Sequence, residues 1–373
     1  MSSWRRWLCS LIVAGSLTIM AVDLGILLAN RHVDNRTSFY SLSGPWSDYA
    51  QLRQEWRPRL LSNFLAGRLA QRVEGPIPES RMARVAAAWT GVWFFATALA
   101  IIAFTGRHAM FYLFATFAGV AFGYLPTVNA RIYPWDLPAL FIFTLFTVLV
   151  RGNRLAPLLI LPAIGVLFKE TSIVLCFALL CLEGSWRQRL GRFGLAAGLC
   201  IVVKLVIDAA VGVPLPGASM TTGDAQQSNL LFNLHALGHV AHRFMVHPIM
   251  VNAGTVAALF ILPRKDSRIV MAQVTALLFA LNMLAFGRIV EYRIWFELIP
   301  LAALAFELTL LEEPKRVAAD QRGAEPPVFR YSWAPMSQRP SLLGLPSKSS
   351  AGHGSSEVPT PASTWGAETD AAR

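Results

Sequence analysis

Charged side chains that interrupt apolar runs are the first candidates for chemistry. Asp136 lies in Ile132-Tyr133-Pro134-Trp135-Asp136-Leu137-Pro138, Lys169 and Glu170 stand together between two apolar runs, and Arg288, Glu291 and Arg293 separate two more. Asp34 and Asp48 share a long polar segment with Arg57 and Arg59. A carboxylate can act as general base on an incoming hydroxyl. Arg and Lys can hold a phosphate leaving group and stabilise the charge that develops on it. Acids and bases gathered on one face of a membrane suit a reaction on a lipid-linked phosphate.

Plainer roles compete with these. Asp136 can simply start a helix, since acids favour the first turn. Arg288, Glu291 and Arg293 can be interface anchors whose charged ends reach water. Lys169 and Glu170 are adjacent, so on a helix each needs a separate partner. Lys204 and Asp208 stand at i, i+4 and are expected to neutralise each other. His235, His239 and His242 share one helical face, a spacing that suits a transition metal. No carboxylate lies near them in sequence, so they read as polar interface residues, and no metal ligand is assigned.

The elements that must position these residues are set by composition. The 373 residues are 54% hydrophobic and 15% charged, with a mean hydropathy of +0.47. A soluble domain carries about 25% charged residues. The shortfall excludes an ordinary cytosolic globule and a disordered chain. Apolar runs of spanning length recur, so the fold class is all-α, a polytopic transmembrane helix bundle. The runs are 8–29, 85–104, 109–125, 137–150, 155–168, 171–183, 193–213, 245–262, 269–286 and 294–311, about ten spans. Two of them, 155–168 and 171–183, are short. They read as a hairpin with Lys169 and Glu170 at its tip, its first arm bent by Pro157 and Pro162. The alternative is one long helix with a charged pair at its centre.

The formal charge is +11, from 33 bases and 22 acids. Most bases flank apolar runs, which fits phospholipid headgroups and orientation signals rather than nucleic acid. With both termini cytoplasmic, the short inner connections carry Arg5, Arg6, Arg107, Arg151, Arg154, Arg187, Arg189, Arg192, Arg264, Lys265, Arg268, Lys315 and Arg316. The first outer loop, 30–84, is the exception, with nine Arg. Within it, Arg57 to Arg72 reads as an amphipathic interfacial helix, with Leu60, Leu61, Phe64, Leu65 and Leu69 toward acyl chains and Arg57, Arg59, Arg68 and Arg72 toward phosphates. The alternative is a helix packed on the bundle with a solvated basic face. Residues 1–311 form the bundle. Residues 312–373, rich in Pro, Ser, Gly and Ala and without periodicity, read as a disordered cytoplasmic tail. Cys9, Cys176, Cys181 and Cys200 all fall in apolar segments and read as small buried hydrophobes.

The order Asp48-Tyr49, Glu55-Trp56-Arg57-Pro58-Arg59, Tyr133-Pro134-Trp135-Asp136, Phe168-Lys169-Glu170-Thr171 and Gly287-Arg288 through Glu291-Tyr292-Arg293 resembles bacterial polytopic glycosyltransferases of the GT-C superfamily, over roughly residues 8–311. The resemblance implies an inner (plasma) membrane enzyme that transfers a sugar from a polyprenyl-phosphate donor on the outer face. It implies a carboxylate of the first outer loop as catalytic base or metal contact, a position that matches Asp48 or Asp34, with Asp136 as a further candidate acid. Lys169, Glu170, Arg288, Glu291, Arg293, Arg57 and Arg59 are the candidate donor contacts. A divalent metal is the one cofactor the resemblance allows, and the loop holds no Asp-x-Asp or Glu-Asp pair to which it could be assigned. The other classes are a transporter or flippase, which would place its site near the midplane, and a non-catalytic membrane assembly protein.

Overall fold

Long apolar sequences with few Pro and Gly interruptions can satisfy their backbone only internally, and in this chain they do so as helices. The computed structural model describes residues 3–31, 59–73, 78–124, 133–211, 233–234, 254, 256–264, 266–286 and 295–312. Among them there is no strand. Every described residue belongs to one compact unit within Met1–Ala324. The expected tail lies outside the described residues apart from Glu312.

The helices are α1 (Ser3–Arg31), α2 (Leu60–Arg72), α3 (Pro78–Thr105), α4 (Ala109–Tyr124), α5 (Asp136–Arg151), α6 (Leu155–Leu158), α7 (Leu161–Phe168), α8 (Val174–Cys181), α9 (Trp186–Val211), α10 (Ser267–Phe286) and α11 (Ile299–Phe306). Past α11 the backbone widens into a π turn over Glu307–Glu312. Four stretches are long and apolar enough to cross a membrane: Trp4–Leu27, Ala83–Ala121, Trp186–Ala210 and Ser267–Ala285. The second of these is bent. Gly106, at φ +56°, opens a tight turn that reverses the chain, and Phe117 of α4 packs back on Phe94 of α3 with ring centroids 6.2 Å apart. A left-handed φ is what glycine adopts without steric cost. The expected runs 85–104 and 109–125 are therefore two antiparallel helices. Of the expected run 245–262, only 254 and 256–262 are described.

The short runs 155–168 and 171–183 form the expected hairpin. Its first arm breaks between α6 and α7, with Pro162 in the first turn of α7, where a missing N–H costs nothing. Lys169 is extended (φ −159°, ψ 135°), and a tight turn over Glu170–Ile173 follows. The returning arm α8 runs antiparallel to α9: Cys176 Sγ lies 3.5 Å from Cys200 Sγ, and Arg192 donates to the Glu183 carbonyl. Two apolar cores result. One joins α5, α7, α8, α10 and α11 around Phe143, Phe146, Leu175 and Phe279; the other joins α1, α3 and α4 around Ala21, Phe94 and Ile101. Leu195, Ile201, Val202, Leu205 and Val206 of α9 are exposed, an outward apolar face that suits acyl chains.

The helix expected in the first loop exists over Leu60–Arg72, and its small residues seat it on the bundle. Ser62, Asn63, Ala66, Gly67 and Ala70 face inward, whereas Leu60, Leu61, Leu65 and Leu69 are only half-buried and Phe64 is exposed. Small residues let helix backbones approach closely, so the small face seats deepest, while Leu60, Leu61, Leu65 and Leu69 pack at the edges of the two cores.

Candidate functional site

The start of α5 is held in place by its own aromatic neighbours. Tyr133 and Trp135 stack at 4.8 Å, the Trp89 indole donates to the Pro134 carbonyl at 2.8 Å, and the Asp136 N–H donates to the Tyr133 carbonyl at 3.2 Å. Asp136 thus occupies the first helical turn, as its helix-starting role predicts, but its carboxylate does more than cap. The hairpin apex brings Lys169 against it, with Nζ 3.1 Å from Oδ1. On the other side Lys169 binds Glu297 Oε1, and the Thr171 hydroxyl donates to Glu297 Oε2 at 2.7 Å. The side chains of Asp136, Lys169 and Glu297 are 1%, 5% and 0% exposed. One ammonium is shared by two carboxylates from separate helices. Buried charge is tolerated only when paired and hydrogen-bonded in this way, and removing one partner strands the other.

A second pair lies at the rim of this triad. Arg59, immediately before α2, places its guanidinium 4.1 Å from the Trp135 ring centroid and donates from Nε to Glu170 Oε2 at 3.2 Å. The Ser62 hydroxyl donates to the Phe168 carbonyl at 3.3 Å, which fastens α2 to the hairpin apex. The Arg59 and Glu170 side chains are 21% and 34% exposed, so this pair meets the surroundings while the triad does not. Ring face and carboxylate together fix the guanidinium plane. Among the described residues, its terminal nitrogens Nη1 and Nη2 make no hydrogen bond. A planar fork with two free donor nitrogens is the geometry that binds paired oxygens of a phosphate or carboxylate.

Of the residues named from sequence, Asp136, Lys169, Glu170 and Arg59 therefore meet at one end of α5. Lys169 and Glu170 take separate partners, as adjacent residues must. Asp136 is sealed inside the bundle against Lys169 rather than open to an incoming substrate. Asp34, Asp48, Arg57, Arg288, Glu291 and Arg293 lie outside the described residues, as do His235, His239 and His242. Lys204 and Asp208 pair as expected. Among the described residues, no three His, Cys, Asp or Glu side chains are grouped to hold a metal.

Two acids escaped the reading of the sequence, and both lie in the last apolar run. Glu297 completes the triad. Glu307, fully buried, receives Arg151 Nη2 at 2.7 Å on Oε1, Arg151 Nε at 2.9 Å on Oε2 and the Tyr112 hydroxyl at 2.6 Å. His108 Nδ1 lies 3.4 Å from the same carboxylate, and Arg107 Nε donates to His108 Nε2 at 2.8 Å. Arg151 ends α5, so this cluster sits about 22 Å from the triad along the helix axis. Acids inside an apolar run were the available signal, because such residues are costly without partners.

No protein-family model, curated protein or solved structure matches the chain.

The candidate site therefore stands on its own geometry. It offers a buried charge lock, an oriented cation whose terminal nitrogens are free among the described residues, and a part-exposed carboxylate beside that cation.

Proposed function

We propose that the chain is a multi-pass inner-membrane glycosyltransferase that takes a sugar from a polyprenyl-phosphate donor. The observation that carries this reading is the Arg59 guanidinium. It is stacked on Trp135, braced by Glu170 and left with Nη1 and Nη2 unpartnered among the described residues. Such a cation, just before a helix that leaves Phe64 exposed, suits a phosphate whose lipid tail runs alongside. In this reading the chain spans the membrane about ten times with both termini cytoplasmic. The Arg59 end then faces outward and the Arg151 end inward, and Asp34 and Asp48 belong to the first outer loop as further candidate acids.

The test compares lipid-linked and surface glycans by mass spectrometry in cells with and without the protein. Loss of one glycan and accumulation of its polyprenyl-linked precursor is expected; unchanged glycans and precursors would remove the reading.

The buried triad favours one competitor. An intramembrane Lys between two carboxylates at a break between short helices is also what an ion- or lipid-moving protein uses. A flippase would relocate the polyprenyl-linked sugar without cleaving it, so intact precursor crossing vesicles that contain the purified protein would favour that class.

A further inference from the structure

We infer that Glu170 is the general base of this site and that arrival of the donor phosphate on Arg59 activates it. The inference rests on the glycosyltransferase reading and assigns the proton acceptor within it.

The acids differ sharply in what they can reach. Asp136 and Glu297 are 1% and 0% exposed, and both are bound to Lys169. Glu170 is 34% exposed and sits beside the free donors of Arg59. Its Oε2 accepts from Arg59, and the carboxylate also faces its own backbone N–H. Among the described residues no other side chain donates to it. An ionised carboxylate has about four acceptor positions, so room for a substrate hydroxyl is left. Among the described residues, the charged groups that face Glu170 are Arg59, just before α2, and Lys204 from α9, the latter paired with Asp208. Lys169 is turned toward Asp136 and Glu297.

A carboxylate braced by Arg is a weak base, because the neighbouring cation favours its ionised form. A phosphate that binds Nη1 and Nη2 neutralises that cation. The hold of Arg59 on Glu170 falls, and the carboxylate's affinity for a proton rises when the donor is seated. In the transfer step the acceptor hydroxyl gives its proton to Glu170, and its oxygen bonds to the anomeric carbon of the sugar. The bond from that carbon to the phosphate oxygen breaks, and its electron pair leaves on the polyprenyl phosphate, held by Arg59. Glu170 then releases the proton to water.

The experiment uses the full chain in vesicles of phosphatidylethanolamine and phosphatidylglycerol. Undecaprenyl phosphate is the binding probe, with inorganic phosphate as a second probe that separates headgroup chemistry from the lipid tail. Turnover is read as sugar released from the lipid-linked pool of cells that lack the protein. Glu170→Gln is expected to bind undecaprenyl phosphate within about threefold of the parent and to lose turnover by roughly 100- to 10,000-fold. Arg59→Ala is expected to lose binding. In the unaltered protein the acid limb of kcat is expected at higher pH than that of kcat/KM, since the first reports the donor-bound state and the second the free protein. Glu170→Gln turnover within tenfold of the parent, or coincident acid limbs, overturns the base assignment and leaves the glycosyltransferase reading standing. Absence of both binding and turnover in the parent overturns the two together. If Glu170→Gln fails to fold, the pH comparison on the unaltered chain decides alone.

Discussion

Lys169 and Glu297 stand 128 positions apart in the chain and meet as a fully enclosed ion pair, with Asp136 on the far side of the same ammonium. Three elements are tied at one point: the start of α5, the hairpin apex and the turn before α11. Removal of one member leaves the others charged in an apolar interior. Lys169→Met is therefore expected to cost about 3–5 kcal/mol. Thermal unfolding in detergent measures it. The double variant Lys169→Met, Glu297→Gln should recover part of that loss, and strictly additive losses would show that the two residues do not act as a pair.

At the other end of α5, Tyr112→Phe removes one hydroxyl and nothing else. The lost bond goes to a buried carboxylate at 2.6 Å. A hydrogen bond to a charged group is worth about 1.5–3 kcal/mol. Thermal stability should fall accordingly, while undecaprenyl phosphate binding at the distant Arg59 stays unchanged. An equal effect on binding would mean that the two ends of α5 are coupled.

The hairpin depends on one close approach. A Cβ on Gly165 would lie 2.5 Å from Ser172 Cβ and 2.9 Å from Ile142 Cγ2, so Gly165→Ala forces the two arms apart. Overpacking of this kind costs about 1–3 kcal/mol. Ser172→Gly in the same chain should restore much of the stability. Gly198→Ala on α9, where nothing lies within 4 Å, is the control and should be neutral.

Asp136→Asn separates a structural acid from a catalytic one. Lys169 keeps Glu297 as a counter-charge, and the amide oxygen still accepts, so folding should survive with a modest loss of stability. Donor binding should stay near that of the parent. Asp48→Asn and Asp34→Asn in the first loop are expected to leave stability unchanged, and their effect on turnover tests whether a loop acid assists Glu170. Loss of turnover in Asp136→Asn with stability intact would place Asp136 in the chemistry.

Orientation is open to impermeant thiol labelling in a cysteine-free background. A cysteine at 152 should stay unlabelled in intact cells and one at 225 should label. The reverse pattern would put the Arg59 end of the bundle in the cytoplasm.

The helices and many of their limits were written in local sequence. Apolar length set α1, α9 and α10, the charged Arg107 fell between the runs that became α3 and α4, and Pro162 with the Lys169-Glu170 pair marked the hairpin. These are local effects: a backbone in an apolar setting must close its own hydrogen bonds, and breaks fall where glycine, proline or charge makes closure costly. Side-chain partners were another matter. That Lys169 and Glu170 need separate partners followed from adjacency, but only packing decided that these are Glu297 and Arg59. The leucine stripe of α2 was legible in hydropathy, but its deepest contact was not, because close helix packing selects Ser62, Ala66 and Ala70. Asp136 looked reachable in sequence and is enclosed in the fold. Periodicity reports which way a residue points along its own helix; which charge meets it there depends on how distant helices cross, and that is settled only when the bundle closes.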